Sequence, residues 1–302
     1  MTRTPLFRLA FGAVLLSFAP VLVRLADVGP TPAGFYRMAI GGVLLQGMVM
    51  YRRRSWGLTL GHVSLAALAG LLFSGDLVFW HRCIAFVGPG LATILVNLQV
   101  FVLAAFGIVL LRERASPRLL FAIPLAVVGL FLIFGFDWNL LGREYRWGVV
   151  LGLLAAVSYA SYLLALRGAR RRASEGVEPI ATVATLSLVS AVVLGGLVQL
   201  EGETFAIPSF GTFGILMAYA VLIQVVAWVV ISGALPRVPA SRAGLLLLLQ
   251  PTLAFVWDML LFARPTSALE FAGAALTLGA IYLGLTSAGQ PQHAPATGSQ
   301  QA

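Results

Sequence analysis

The chain of 302 residues contains no lysine; all twenty of its basic residues besides histidine are arginine. That absence removes the phosphate-cradling Walker A loop and every Schiff-base mechanism, since both need a lysine amine. A single cysteine, Cys83, allows neither an internal disulfide nor a thiolate-built metal site. The three histidines, His62, His81 and His293, are scattered, with no HExxH helix and no Ser-His-Asp pattern. His81, beside Arg82, reads as a solvated histidine at a helix end, with pH sensing near the mouth of a site as the alternative. No catalytic residue, metal or cofactor is expected.

Charge is scarce too, at 10% of residues, whereas 60% are hydrophobic and the mean hydropathy is +0.95, far outside the range of a soluble domain. A membrane span needs about 20 apolar residues. Ten such runs are present, at roughly 6–26, 32–50, 63–85, 89–111, 117–136, 147–166, 179–200, 210–233, 240–262 and 267–287. Backbone groups cannot be left unpaired in hydrocarbon, so these runs predict helices, an all-α integral membrane protein. The 32 glycines read mainly as spacers that let such helices approach closely.

The arginines set a topology. Fourteen fall in the N-terminal segment and in alternate loops, and six (Arg24, Arg37, Arg82, Arg143, Arg146 and Arg264) on or near the other side. The positive-inside rule then makes both termini cytoplasmic. A pI near 10.8 would also suit nucleic-acid binding, but the arginines are dispersed over loops with no soluble basic face, so no nucleic acid is expected. The triplet Arg170 to Arg172 could also touch anionic headgroups. The first run is long and lacks a small-x-small cleavage site, so it reads as a retained span rather than a signal peptide.

Arg114 is echoed by Arg264, Pro89 by Pro239 and Gly129 by Gly279, each 150 residues later. Five spans per copy is an odd number, so the second copy must enter the bilayer from the opposite side. The expected organisation is a first repeat at 1–140, a second, inverted repeat at 141–288 and a disordered cytoplasmic tail at 289–302. Inverted repeats are the mark of secondary transporters, whose halves rock about a shared site near the midplane.

The segment from Ala234 to Leu245, with Leu249-Gln250-Pro251 and then Arg264-Pro265-Thr266, resembles the third-to-fifth-span region of an EamA domain. The first half carries the same grammar in the stretch from Ala85 to Thr93, Asn97-Leu98-Gln99 and Arg112-Glu113-Arg114-Ala115-Ser116. The chain thus resembles the EamA-type, ten-span members of the drug/metabolite transporter superfamily. In length, span number and aromatic content it is also similar to YddG-type aromatic amino-acid exporters. It departs from the pattern at Arg112, where a loop glycine is usual, at Ala263 in place of glutamate and at Val100 in place of proline. The resemblance implies alternating access through a central cavity in a bacterial inner membrane, walled mainly by spans 1, 3, 4, 6, 8 and 9.

Polar groups inside spans need a partner or a wet cavity, which makes them the candidates for substrate contact. Asp76 could bind an ammonium, carry a coupling proton, or form a structural ion pair with Arg24, Arg37 or Arg82. Asp258 reads as a structural ion pair. Asn97, Gln99, Gln224 and Gln250 supply donors and acceptors for a zwitterion, while Gln46 reads as interface glue. Phe79, Trp80, Tyr159, Tyr162, Trp228 and Trp257 can hold an apolar side chain or an ammonium. Ser17 and Ser158 set a hydroxyl beside a ring in both halves. Trp56, Trp138 and Trp147 fit an interfacial belt. Pro20, Pro124 and Pro251 remove helix hydrogen bonds and mark kinks, whether hinges or static bends.

The residues therefore favour a carrier exporting amino acids (aromatic, with threonine or methionine as further substrates) or similar metabolites. The alternatives are a drug, cation or nucleotide-sugar carrier of the same fold and, further off, an intramembrane lipid enzyme, for which no tight polar constellation is present. The implied partners are a small-molecule substrate and the lipid bilayer; nothing in this reading requires an oligomer.

Overall fold

A computed structural model of the chain describes residues 3–52, 59–99, 101–102, 105, 117–134, 142–172, 179–234, 249–263 and 266–287. The loop motifs at 112–116 and 235–248, the repeat markers Arg114, Pro239 and Arg264, the belt residues Trp56 and Trp138, and the tail from 289 lie outside the described residues, as does most of 100–111.

Every regular element among the described residues is helical. In order they are α1 (Arg3–Ser17), α2 (Ala19–Leu25), α3 (Pro30–Tyr51), α4 (Leu60–Val87), α5 (Pro89–Asn97), α6 (Pro117–Phe134), α7 (Arg143–Arg172), α8 (Pro179–Leu200), α9 (Phe210–Ala218), a π-helical segment (Tyr219–Ala227), α10 (Trp228–Ala234), α11 (Leu249–Phe262) and α12 (Ala268–Ser287). Among the described residues six helical stretches are long and apolar enough to cross a bilayer, and three shorter apolar helices accompany them.

Local chemistry sets the starts and stops. α3 and α5 each begin on proline, whose missing N–H is not needed in the first turn and whose φ is already helical. Thr59 caps α4 by accepting from the His62 N–H at 3.2 Å, and Ser209 caps α9 by accepting from the Thr212 N–H at 3.0 Å. α4 ends at Gly88, which takes φ +87°, a conformation that side chains disfavour.

Four spans differ from expectation. The first is two helices broken at Phe18, two residues before Pro20, which lies in the opening turn of α2 and cannot donate to the preceding turn. The third and sixth run past their apolar stretches, to 28 and 30 residues, since no breaker intervenes before Gly88 or within 143–172. The eighth is interrupted by nine residues of π-helix although it holds no proline. Pro124, by contrast, sits inside a continuous α6, and Pro251 lies in the first described turn of α11.

The packing has a two-fold pattern. α4 packs on α7, and exchanging first- and second-half elements turns that contact into the one between the first span and the π segment with α10, which is also present. Likewise α5 on α7 corresponds to α1 on α11, and α4 on α8 to α3 on the π segment. The pairs α3 with α8, α5 with α11 and α6 with α12 map onto themselves. Many large apolar side chains stay outward, among them Leu71, Val192 and Phe213, as expected of helices with hydrocarbon on one face.

Candidate functional site

A cavity of about 70 Å³ lies between the two halves, walled by α1, α2, α3, α4, α5, α7, the π segment, α10 and α11. Of the residues singled out from the sequence, Asp76, Trp80, Asn97, Gln99, Tyr159, Trp228 and Gln250 line it. They come from five spans that are far apart in the chain, and the fold brings them to one point.

The remaining candidates, Trp257 among them, do not line it. Ser17 donates to the Val14 carbonyl at 2.6 Å and accepts from Trp257 Nε1 at 2.9 Å, while Phe18 stacks on Trp257 at 4.9 Å. The serine thus positions an indole between α1 and α11. Ser158 sits at the α4–α7 contact, 3.6 Å from where a Gly75 Cβ would be. Tyr162, 2% exposed, lies behind the wall against Phe73 at 4.6 Å and Tyr159 at 5.4 Å. Phe79 packs half-buried against the core. Gln224 is buried one layer out, with Oε1 accepting from Arg37 Nε at 3.0 Å and Nε2 donating to Ser187 Oγ at 3.1 Å.

Arg37 is the residue that sequence reasoning under-read. Counted as a cation near a loop, it is 5% exposed and lines the cavity. Its Nη1 donates to the Tyr219 hydroxyl at 3.0 Å, and its guanidinium lies over the rings of Phe73 and Tyr219 at 5.5 and 5.1 Å. Gly41, one helical turn further along α3, makes room for Gln224: a Cβ there would stand 2.5 Å from Gln224 Cγ.

The cations proposed as partners for Asp76 are largely taken elsewhere. Arg24 pairs with the fully buried Asp258 at 3.2 Å and lies over the Phe262 ring at 4.0 Å. Asp258 also accepts from the Gly90 N–H at 3.1 Å, so it caps α5. Arg82 pairs with Glu201 at 2.7 Å and reaches Thr31 at 3.1 Å. Among the described residues no ion pair within 4.0 Å involves Asp76, and its Oδ1, although buried, has no hydrogen-bond partner. Trp80 Nε1 and Gln99 Oε1 are buried and unpartnered in the same way. Buried polar atoms left unpaired cost about 1–3 kcal/mol each. Three of them, two acceptors and one donor, belong to residues that line one cavity.

His81 is corrected as well. It is 1% exposed rather than solvated, with Nδ1 2.9 Å from the Pro30 carbonyl oxygen and Nε2 2.9 Å from the Tyr219 hydroxyl. It also lines a second, larger cavity of about 530 Å³ between the ends of α2, α4 and α11.

A bundle of lipid-length helices in two corresponding halves, closed around a small polar cavity with unpaired buried groups, defines a membrane carrier. The family model of the EamA-like transporter family matches the chain twice, over residues 5–135 and 146–286, and the chain belongs to that family. No curated protein is matched. A solved structure titled only "Crystal structure of protein" is similar in fold, with a TM-score of 0.63 over 94% of this chain and 96% of that one at 18% identity. The expected two-repeat, multi-pass membrane architecture stands, and the family's role is the transport of small molecules.

Proposed function

We propose that the chain is a secondary transporter that exports amino acids, aromatic ones foremost with threonine and methionine as further substrates, across the bacterial inner membrane by alternating access. It does so as ten spans in two inverted five-span repeats, at 1–140 and 141–288, with both termini cytoplasmic and a kinship to YddG-type exporters. The observation that carries the reading is the wall of the central cavity, where Arg37 and Asp76 stand without pairing beside the unpartnered Gln99 Oε1 and Trp80 Nε1.

That set suits a zwitterion. The substrate carboxylate would meet Arg37, a group suited to planar carboxylates. The ammonium would meet Asp76 and Gln99, and the side chain would lie against Trp80, Tyr159 and Trp228. Alternating access would require the helices around this cavity to part on one side at a time for substrate to enter. The break at Phe18 and the π segment flank the cavity where such movement would be absorbed.

Counterflow in proteoliposomes tests this. Vesicles holding purified protein and unlabelled amino acid should accumulate labelled phenylalanine, threonine or methionine above empty liposomes with no imposed gradient. Folded protein that accumulates none of them would exclude amino acids and turn the cavity toward drugs, organic cations or nucleotide-linked sugars. Arg37 on the wall weighs against a simple organic cation, whose charge it would repel.

A further inference from the structure

We infer that His81 is a positioning residue: through the Tyr219 hydroxyl it fixes the orientation in which Arg37 faces the central cavity. The inference rests on the reading of Arg37 as the partner of the substrate carboxylate.

The hydrogen bonds have only one consistent direction. A carbonyl oxygen accepts and cannot donate, so the His81 Nδ1 that lies 2.9 Å from the Pro30 carbonyl carries the proton. In the neutral ring Nε2 is then an acceptor, and the Tyr219 hydroxyl 2.9 Å away donates to it. With its proton so committed, the Tyr219 oxygen turns its lone pairs to Arg37, whose Nη1 donates at 3.0 Å. A rotated hydroxyl would present its proton to a guanidinium that has only protons to offer. On its other edge the guanidinium is held through Nε by Gln224, itself anchored on Ser187. His81, Tyr219, Gln224 and Arg37 are all buried.

The π winding makes this arrangement possible. Tyr219 and Gln224 are five residues apart, which at 3.6 residues per turn would set them about 140° apart on an α-helix. A π-helix bonds residue i to i+5 and returns the chain to nearly the same side after five residues. Both side chains therefore reach one guanidinium from the same helix face.

The test uses the full-length protein in proteoliposomes, with phenylalanine as substrate and phenethylamine, which lacks the carboxylate, as competitor. His81→Phe and Tyr219→Phe are each expected to raise KM for phenylalanine about tenfold, the effect of a weakened charge-assisted hydrogen bond. Maximal rate and inhibition by phenethylamine should stay close to wild type. His81→Gln, whose side-chain oxygen can still accept from Tyr219, should restore much of the lost affinity. The double variant His81→Phe/Tyr219→Phe should be no worse than either single one, because both act through one chain of bonds.

Losses that multiply in the double variant, or a parallel loss of phenethylamine inhibition, would overturn the inference in favour of a general packing role. So would a wild-type KM in His81→Phe alongside intact discrimination between the two ligands, an outcome that leaves the carboxylate reading standing. A wild-type protein that does not distinguish phenylalanine from phenethylamine would overturn the carboxylate reading and the role of His81 together. A ¹⁵N spectrum of His81 gives a readout independent of transport: Nδ1 protonated and Nε2 hydrogen-bonded in wild type, with the Nε2 resonance shifting in Tyr219→Phe. The opposite tautomer in wild type would also overturn the inference.

Discussion

Arg37 and Asp76 line the same small cavity, and no ion pair joins them. Gln224 and Tyr219 hold the arginine from behind, while one carboxylate oxygen of the aspartate has no partner. Two opposite charges on one wall would normally close on each other; under the proposed function, holding them apart keeps both available to the substrate. Desolvated charge without a partner lowers stability, and that cost is typical of a site shaped for binding rather than for folding.

Asp76→Asn should separate those two roles. The substitution keeps the shape while replacing a buried ionisable group whose Oδ1 has no hydrogen-bond partner, so the ligand-free protein should melt at the wild-type temperature or slightly above it. Losing a charge-assisted bond to an ammonium is worth about 1.5–3 kcal/mol, or roughly a 10- to 100-fold rise in KM. Thermal unfolding in detergent and counterflow kinetics check the two halves. A lower melting temperature with unchanged KM would make Asp76 structural, and transport with unchanged rate and pH dependence would also remove it as a proton carrier.

Asp258 should behave in the opposite way. Its carboxylate pairs with Arg24 and caps α5 at Gly90, and the positive φ of Gly88 lets the chain turn beneath it, where a Cβ would stand 2.8 Å from Oδ2. Asp258→Ala removes the cap and the pair, with an expected loss of about 2 kcal/mol. Arg24 is half-exposed and can rehydrate, which keeps the loss below that of a fully buried pair. The check is the unfolding midpoint, with KM for residual transport near wild type.

The spans and the duplication were legible because hydrocarbon filters composition severely: apolar runs show their own length, and a polar residue among them stands out. That is why Asp76, Asn97, Gln99 and Gln250 could be picked from the chain and are found on one cavity. Partner choice was not legible, because it depends on how each helix is rotated. Ser17 and Gln224 have the right chemistry but face a neighbouring helix, and Tyr162 stands one layer behind Tyr159. Arg37 was counted with the loop arginines because its depth follows from where α3 begins at Pro30. Tyr219 had no mark at all, since a tyrosine in an apolar run reads as packing and nothing in Tyr219–Ala227 signals a π winding.

The aromatic wall should set selectivity. Trp228 lines the cavity from α10, as Trp80 and Tyr159 do from α4 and α7. Ring pairs add about 0.5–1.5 kcal/mol beyond area burial, so Trp228→Ala should raise KM for phenylalanine roughly 3- to 10-fold and that for threonine by less than about twofold. Competition between the two amino acids in one counterflow assay measures the ratio directly. Equal losses for both would mean that the indole supports the fold of the site rather than reading the side chain.

Glu203, in the loop that follows α8, gives a pH dependence of fixed sign. Burial raises its pKa above the usual 4.5, and the neighbouring Glu201 raises it further against the opposing pull of Arg82. A carboxyl whose folded pKa lies above its unfolded one holds its proton more tightly when folded. Its contribution to stability is therefore present below the unfolded pKa of about 4.5 and is lost as pH rises through the folded value. The melting temperature should fall as pH rises through that window, on top of any other titration. Glu203→Gln, which fixes the neutral form, should flatten this part of the profile and melt above wild type at neutral pH. Its effect should be smaller in Glu201→Gln, where the like charge beside it is gone. Melting curves of the three proteins from pH 4 to pH 8 decide the point, and a wild-type profile that rises through the window would reverse the sign argued here.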